Sequence, residues 1–138
     1  MQTTFTIPTA GPGLYEFTRE VEAWVEAVEP RTGVLSLLIR HTSASLLIQE
    51  NADPSVCVDL LAYFDRLVPP ANDPNMAFVT HLQEGPDDMP AHIKAALLPV
   101  SLSIPVTNGR LRLGTWQGIY VFEHRAAPHH RQVAAHLG

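Results

Sequence analysis

GRLRLGTWQGIYVFEHR, residues 109–125, settles the class of architecture more than any other segment of the chain. It reads as two strands with a tight link. The Asn108-Gly109 pair at its start is a hairpin signal, because the type I′ hairpin turn needs positive φ at both central positions. Alternation from Ile119 to Phe122 marks a strand with at least one buried face. That strand ends on Glu123, His124 and Arg125, an acceptor, a titratable ring and a fixed cation in consecutive positions.

Upstream of the hairpin, Val100 to Val106 alternates as another strand. Residues 2–8 alternate around Phe5 and Ile7, giving a first strand that Pro8 ends. Gly11-Pro12-Gly13 is a turn. Leu14, Phe17, Val21, Trp24, Val25 and Val28 recur at helical spacing, and Pro30 with Gly33 closes that helix. Val34 to Arg40 is an apolar strand, and a second runs through Leu46, Leu47 and Ile48. Asp53-Pro54 starts a second helix, with a capping oxygen and a proline at the first helical position. Its inward residues are read as Val58, Leu61, Phe64 and Val68. Pro69 to Pro74 is a loop and Met76 to His81 a short strand. Asp87 or Asp88 caps a third helix, with Ile93, Ala96 and Leu97 inward. The polar, His-rich residues 126–138 read as a loosely ordered tail. Helices set among strands joined by hairpins predict an α+β fold, a largely antiparallel sheet or sandwich with about three helices, in a single domain over residues 1–138.

A chain of 138 residues can bury a proper core. A net charge of −5 argues against non-specific nucleic-acid binding, which needs a basic field to displace counterions. No apolar run approaches the roughly 20 residues of a membrane helix, so no membrane partner is expected. The N-terminus MQTTFTIPTAG has no signal-peptide pattern, and the single Cys57 fits a reducing cytoplasm. Only 17% of residues are charged, which is also what a surface covered by copies of itself would show.

Three separated segments each deliver a histidine beside hydrogen-bonding partners. One strand runs into His41-Thr42-Ser43, Asp88 and His92 lie one helical turn apart, and Glu123-His124-Arg125 closes the last strand. Histidines with acidic neighbours suit a divalent metal, zinc or magnesium, although there is no HExxH and no paired-cysteine motif. Hydrogen-bonded histidines at strand ends are the competing reading. Alternation puts His41, Ser43 and Ser45 on one face, where hydroxyls beside an imidazole can hold phosphate oxygens. Arg125 offers a planar fork for phosphate or carboxylate, against the alternative of a surface ion pair.

RHTSASLLIQENADPSV, HLQEGPDDMPAHIKAALL, IPVTNGRLRLGTWQG and FEHR, in that order, resemble the YjbQ family, over roughly residues 5–126. Members are described as secondary thiamine-phosphate synthases. The resemblance implies a sandwich-like α+β subunit, a homotrimer, a polar site near subunit boundaries and a weak synthase activity. That activity condenses a pyrimidine methyl pyrophosphate with a thiazole phosphate and releases pyrophosphate. His41, His81, His92 and His124 all fall in the matching motifs and are the expected metal ligands. His41, Asp88, His92 and Arg125 are the expected catalytic groups. Thr42, Ser43, Asn51, Lys94 and Trp116 are the expected binding groups for a small phosphorylated molecule. Two rivals remain: a metal-dependent hydrolase of a phosphorylated metabolite, and a non-catalytic trimer that binds metal or ligand.

Overall fold

Eight strands build two sheets in the computed structural model, which describes residues 1–138. They are β1 (Gln2–Ala10), β2 (Gly13–Glu16), β3 (Gly33–Ile39), β4 (Ala44–Glu50), β5 (Ser101–Thr107), β6 (Arg110–Leu111), β7 (Gln117–Glu123) and β8 (Pro128–Leu137). The five-stranded sheet has the order β1-β8-β3-β5-β6 and the three-stranded sheet β2-β7-β4, with every pairing antiparallel. Three helices, α1 (Thr18–Ala27), α2 (Pro54–Leu67) and α3 (Asp88–Leu97), complete an α+β domain. No helix is long and apolar enough to cross a membrane.

The core lies between the sheets. Leu35, Leu37 and Ile39 of β3 point inward while Val34, Ser36 and Leu38 point out, the period of two that a strand imposes. They meet Leu46 of β4, Val121 of β7 and Val133 of β8, and Val21 and Val25 of α1 join the same cluster. The other face of the three-stranded sheet carries Phe122 and His124, and Phe64 of α2 meets Phe122 edge-on at 5.7 Å. Asn108 and Gly109 adopt φ of 52° and 74°, as the hairpin dipeptide requires.

Several sequence expectations are corrected. Residues 126–138 are no loose tail: β8 lies between β1 and β3, and Val133 and Leu137 are fully buried. Its polar residues mislead because outward side chains alternate with the buried Arg131, Val133, Ala135 and Leu137. β1 runs through Pro8, which an edge strand tolerates. Leu14 belongs to β2, so the first helix begins only at Thr18. Met76 to His81 forms no strand; a 3₁₀ turn over Pro74–Met76 leads into loop. Val58 on α2 is exposed, and α3 turns Ala91, Lys94 and Ala95 inward while Leu97 faces out. α3 buries five of its ten residues, whereas no residue of α2 is completely buried.

Candidate metal centre

Asp88 starts α3 and is 4% exposed. Helical periodicity places His92 one turn later on the same face, with its Nε2 3.3 Å from Asp88 Oδ2. The loop before α3 brings His81 to the same oxygen, Nε2 to Oδ2 at 2.7 Å. One atom from each of His81, Asp88 and His92 therefore lies within 4.8 Å of the others.

The surroundings fix these groups. His92 Nδ1 lies 3.0 Å from the Thr42 carbonyl oxygen, which can only accept, so Nδ1 carries a proton and Nε2 is the nitrogen turned to Asp88 Oδ2. A backbone acceptor of this kind orients a metal-ligating imidazole. Asp88 Oδ1 accepts from Arg125 Nη1 at 2.8 Å, which leaves Oδ2 to the histidines. Burial pushes the Asp88 carboxyl up, but the His81 bond and the His92 and Arg125 charges more than offset this and hold it below the usual carboxylate range. Arg125 Nε also donates to Asp87 Oδ2 at 2.9 Å and Nη2 to the Glu84 carbonyl at 3.2 Å.

The donor chemistry fits a divalent cation. Two imidazole nitrogens and one carboxylate oxygen are the ligand types of zinc and its neighbours, and a half-exposed His81 side chain keeps one side open to water.

His41 and His124 are not brought to this cluster. His41 Nε2 accepts the Gln132 backbone N–H at 3.0 Å, and burial followed by the Arg131 charge lowers its pKa. His124 is buried against Phe122, with Nε2 2.9 Å from Ser45 Oγ. Its Nδ1 is buried without a hydrogen-bond partner. Burial, then the Lys94 charge, pushes the ring down to about 3.

The expected binding residues also disperse. Thr42 contributes its carbonyl rather than its hydroxyl. Ser43 Oγ accepts from Arg131 Nη2 at 3.0 Å, and Lys94 Nζ donates to Asp65 Oδ1 at 2.9 Å. His41 lies outside any strand and residues 42–43 form a bend before β4, so strand alternation does not govern them. Arg125 commits three of its five N–H donors within the chain, two to carboxylates and one to a backbone carbonyl. The Asp87 side chain caps no helix N–H; it accepts from Arg125 and the Ala126 N–H instead. Asn51 and Trp116 lie at the Glu50–Gln117 end of the β4–β7 pair, while Thr42 and Arg125 lie beyond its Ala44–Glu123 end. Six residues of strand separate the two ends by about 20 Å.

A buried network goes unread in the sequence. Glu123 is fully buried and accepts from Thr9 Oγ1 at 2.6 Å, Arg131 Nε at 2.7 Å, Arg131 Nη2 at 2.6 Å and the backbone N–H groups of His124 and Arg125. Burial opposes its ionisation, yet the Arg131 and Thr9 bonds outweigh burial and keep its pKa low. The available signal is an acid closing an apolar strand; its partner is hidden among residues that read as a tail.

A family profile described as "UPF0047 protein YjbQ-like" matches residues 3–138. A UPF0047 protein, sll1880, from Synechocystis is 47% identical over 99% of this chain and 90% of its own length. The UPF0047 protein YjbQ of Salmonella typhimurium is 44% identical, over 99% of this chain and 96% of its own. Among solved structures, the conserved hypothetical protein TT1486 from Thermus thermophilus aligns with a TM-score of 0.84 at 34% identity, covering 99% of each chain. An uncharacterized YjbQ/UPF0047 family protein from Clostridium acetobutylicum aligns at 0.84 and 31%, over 100% of this chain and 99% of its own.

Proposed function

Because this chain belongs to the UPF0047 family of YjbQ-like proteins, we propose that it is a metal-assisted enzyme acting on a small phosphorylated molecule, with the weak thiamine-phosphate synthase activity that its resemblance implies. The observation that carries the metal reading is the convergence of His81, Asp88 and His92, with His92 fixed by Thr42 and Asp88 by Arg125. A divalent cation held there supplies positive charge where a pyrophosphate group departs. Two imidazoles favour zinc or a similar transition metal over magnesium, which prefers oxygen ligands. Arg125 has five N–H donors and uses three of them, so two remain for a phosphate oxygen. Thr42 and Arg125 hold the ligand geometry, and the homotrimer is part of the proposal. The apolar side chains of Val34 and Leu38, exposed on the outer face of the five-stranded sheet, support a surface covered by a partner copy.

One observation favours a second reading, hydrolysis. The His81 side is open to water, and no aromatic platform lines the triad from Trp116 in the same chain. The deciding measurement is pyrophosphate release from the pyrimidine substrate, with and without thiazole phosphate, alongside metal content. Release only with the thiazole partner, lost in Asp88→Asn and His92→Ala, supports the synthase. Release without it supports the hydrolase. Bound metal with no turnover leaves a binding protein, and absence of metal uptake by the native chain overturns the metal reading.

A further inference from the structure

At the opposite end of the three-stranded sheet from the triad lies a cleft of about 490 Å³, a volume that suits a small ligand. Glu16, Glu22, Arg19, Asn51, Leu113 and Trp116 line it. We infer that this cleft is a binding site for a small arylalkylamine, its ring on Trp116 and its ammonium on Glu16.

Glu16 is preorganised. The Ile119 N–H donates to Thr18 Oγ1 at 2.8 Å, and that hydroxyl donates to Glu16 Oε2 at 2.7 Å. Asn51 Nδ2 donates to the same oxygen at 3.0 Å, and the Asn51 backbone N–H is tied to the Trp116 carbonyl at 3.0 Å. Residues from β2, α1 and the loops flanking β4 and β7 thus hold one carboxylate oxygen. Oε1 accepts no bond from the chain and is left for a ligand.

Gly118 shows why the carboxylate can sit there. A Cβ at that position would lie 2.5 Å from Glu16 Oε2 and 3.1 Å from Asn51 Cβ and Nδ2. The glycine therefore lets Glu16 and Asn51 close against the β7 backbone. Its φ is not in the left-handed region, so space rather than backbone freedom explains it.

The ligand chemistry follows from the lining. Trp116 is 63% exposed, a large apolar face left in water, and Leu113 adds an apolar wall. Two carboxylates against one guanidinium give the cleft a negative balance, which selects a cation. An arylalkylamine satisfies both, stacking on the indole while its ammonium makes a charge-assisted bond to Glu16. The cleft shares no residue with the metal centre.

The test is calorimetric titration of the full chain with tyramine, with 4-hydroxyphenylacetate as the same ring carrying an anion. Saturable binding of tyramine at one site is expected, with the acid failing to compete. Glu16→Gln keeps the side-chain shape and weakens binding about tenfold or more, the worth of a charge-assisted bond. Gly118→Ala displaces the carboxylate and weakens binding too, while Trp116→Leu removes the tyramine-dependent quench of exposed-tryptophan fluorescence. Thermal unfolding of each variant establishes that it is folded. No saturation by about 10 mM tyramine, equal binding of the acid, or unchanged affinity in folded Glu16→Gln would overturn the proposal.

Discussion

Asp88 divides its two oxygens between two tasks, Oδ1 to Arg125 and Oδ2 to the two histidines. Arg125 is therefore a positioning residue for the candidate ligand set. Arg125→Met is expected to lower zinc affinity about 10–100-fold without removing any ligand atom, the usual cost of losing a group that orients a ligand. Competition with a chromogenic chelator measures it, and unchanged affinity would show that Asp88 needs no anchor. His124 behaves differently. Its ring is held neutral with a pKa of about 3, below the ordinary value of 6.5 in the unfolded chain. Between those values the unfolded state binds the proton and the folded state does not. Stability is thus fully present above about pH 6.5 and is lost as pH falls toward 3. At pH 5 this one group removes about 2 kcal/mol relative to pH 7.5. Urea unfolding should show a shallower pH dependence in His124→Gln than in the native chain over that window.

At the scale of elements, β8 shows where periodicity can mislead. Seven histidines occur in the chain and three of them stand in this strand, which lowers its apparent hydrophobicity enough to hide the alternation. Deleting residues 128–137 is expected to abolish folding, because β1 loses its pairing partner and β3 loses one of its two. Circular dichroism checks it; a folded truncation would restore the tail reading. Arg131→Met leaves Glu123 charged and unpaired in the core, and breaking a buried pair this way costs about 3–5 kcal/mol. Chemical unfolding at pH 7 measures that loss. The elements that were legible had strong local signals: the Asp53-Pro54 start of α2, the Asn108-Gly109 turn, the alternation of β5 and the apolar run of β7, which is buried on both faces. The inward face of α2 was legible in part: Phe64 meets Phe122, Leu61 is half-buried and Val68 at the C-cap is buried, whereas Val58 is exposed.

Across the whole domain, the three-stranded sheet acts as a spacer with polar groups at both ends. The triad lies beyond the Ala44–Glu123 end and the Trp116 cleft at the Glu50–Gln117 end, about 20 Å apart along the strands. Sites that far apart without shared partners contribute nearly independently. His92→Ala is accordingly expected to abolish zinc binding while leaving tyramine affinity within about twofold. Paired titrations of the variant test this, and a large loss at the cleft would reveal coupling. Sedimentation equilibrium should give three times the 15.2 kDa chain mass if the proposed homotrimer forms; a monomer mass would remove it.

Read along the chain alone, the residues carry the family, the α+β class and one piece of the site, the one-turn spacing of Asp88 and His92. Those are properties of local periodicity and of motifs taken in order, which need no knowledge of how distant segments meet. Folding in three dimensions was needed to join His81 to that pair and to set His41 and His124 elsewhere. The same packing commits Arg125 to carboxylates, and carries Asn51 and Trp116 to another place altogether. A side chain's partner is set by which loops and strand ends the sheets bring together, and a loop has no period from which such a meeting can be read.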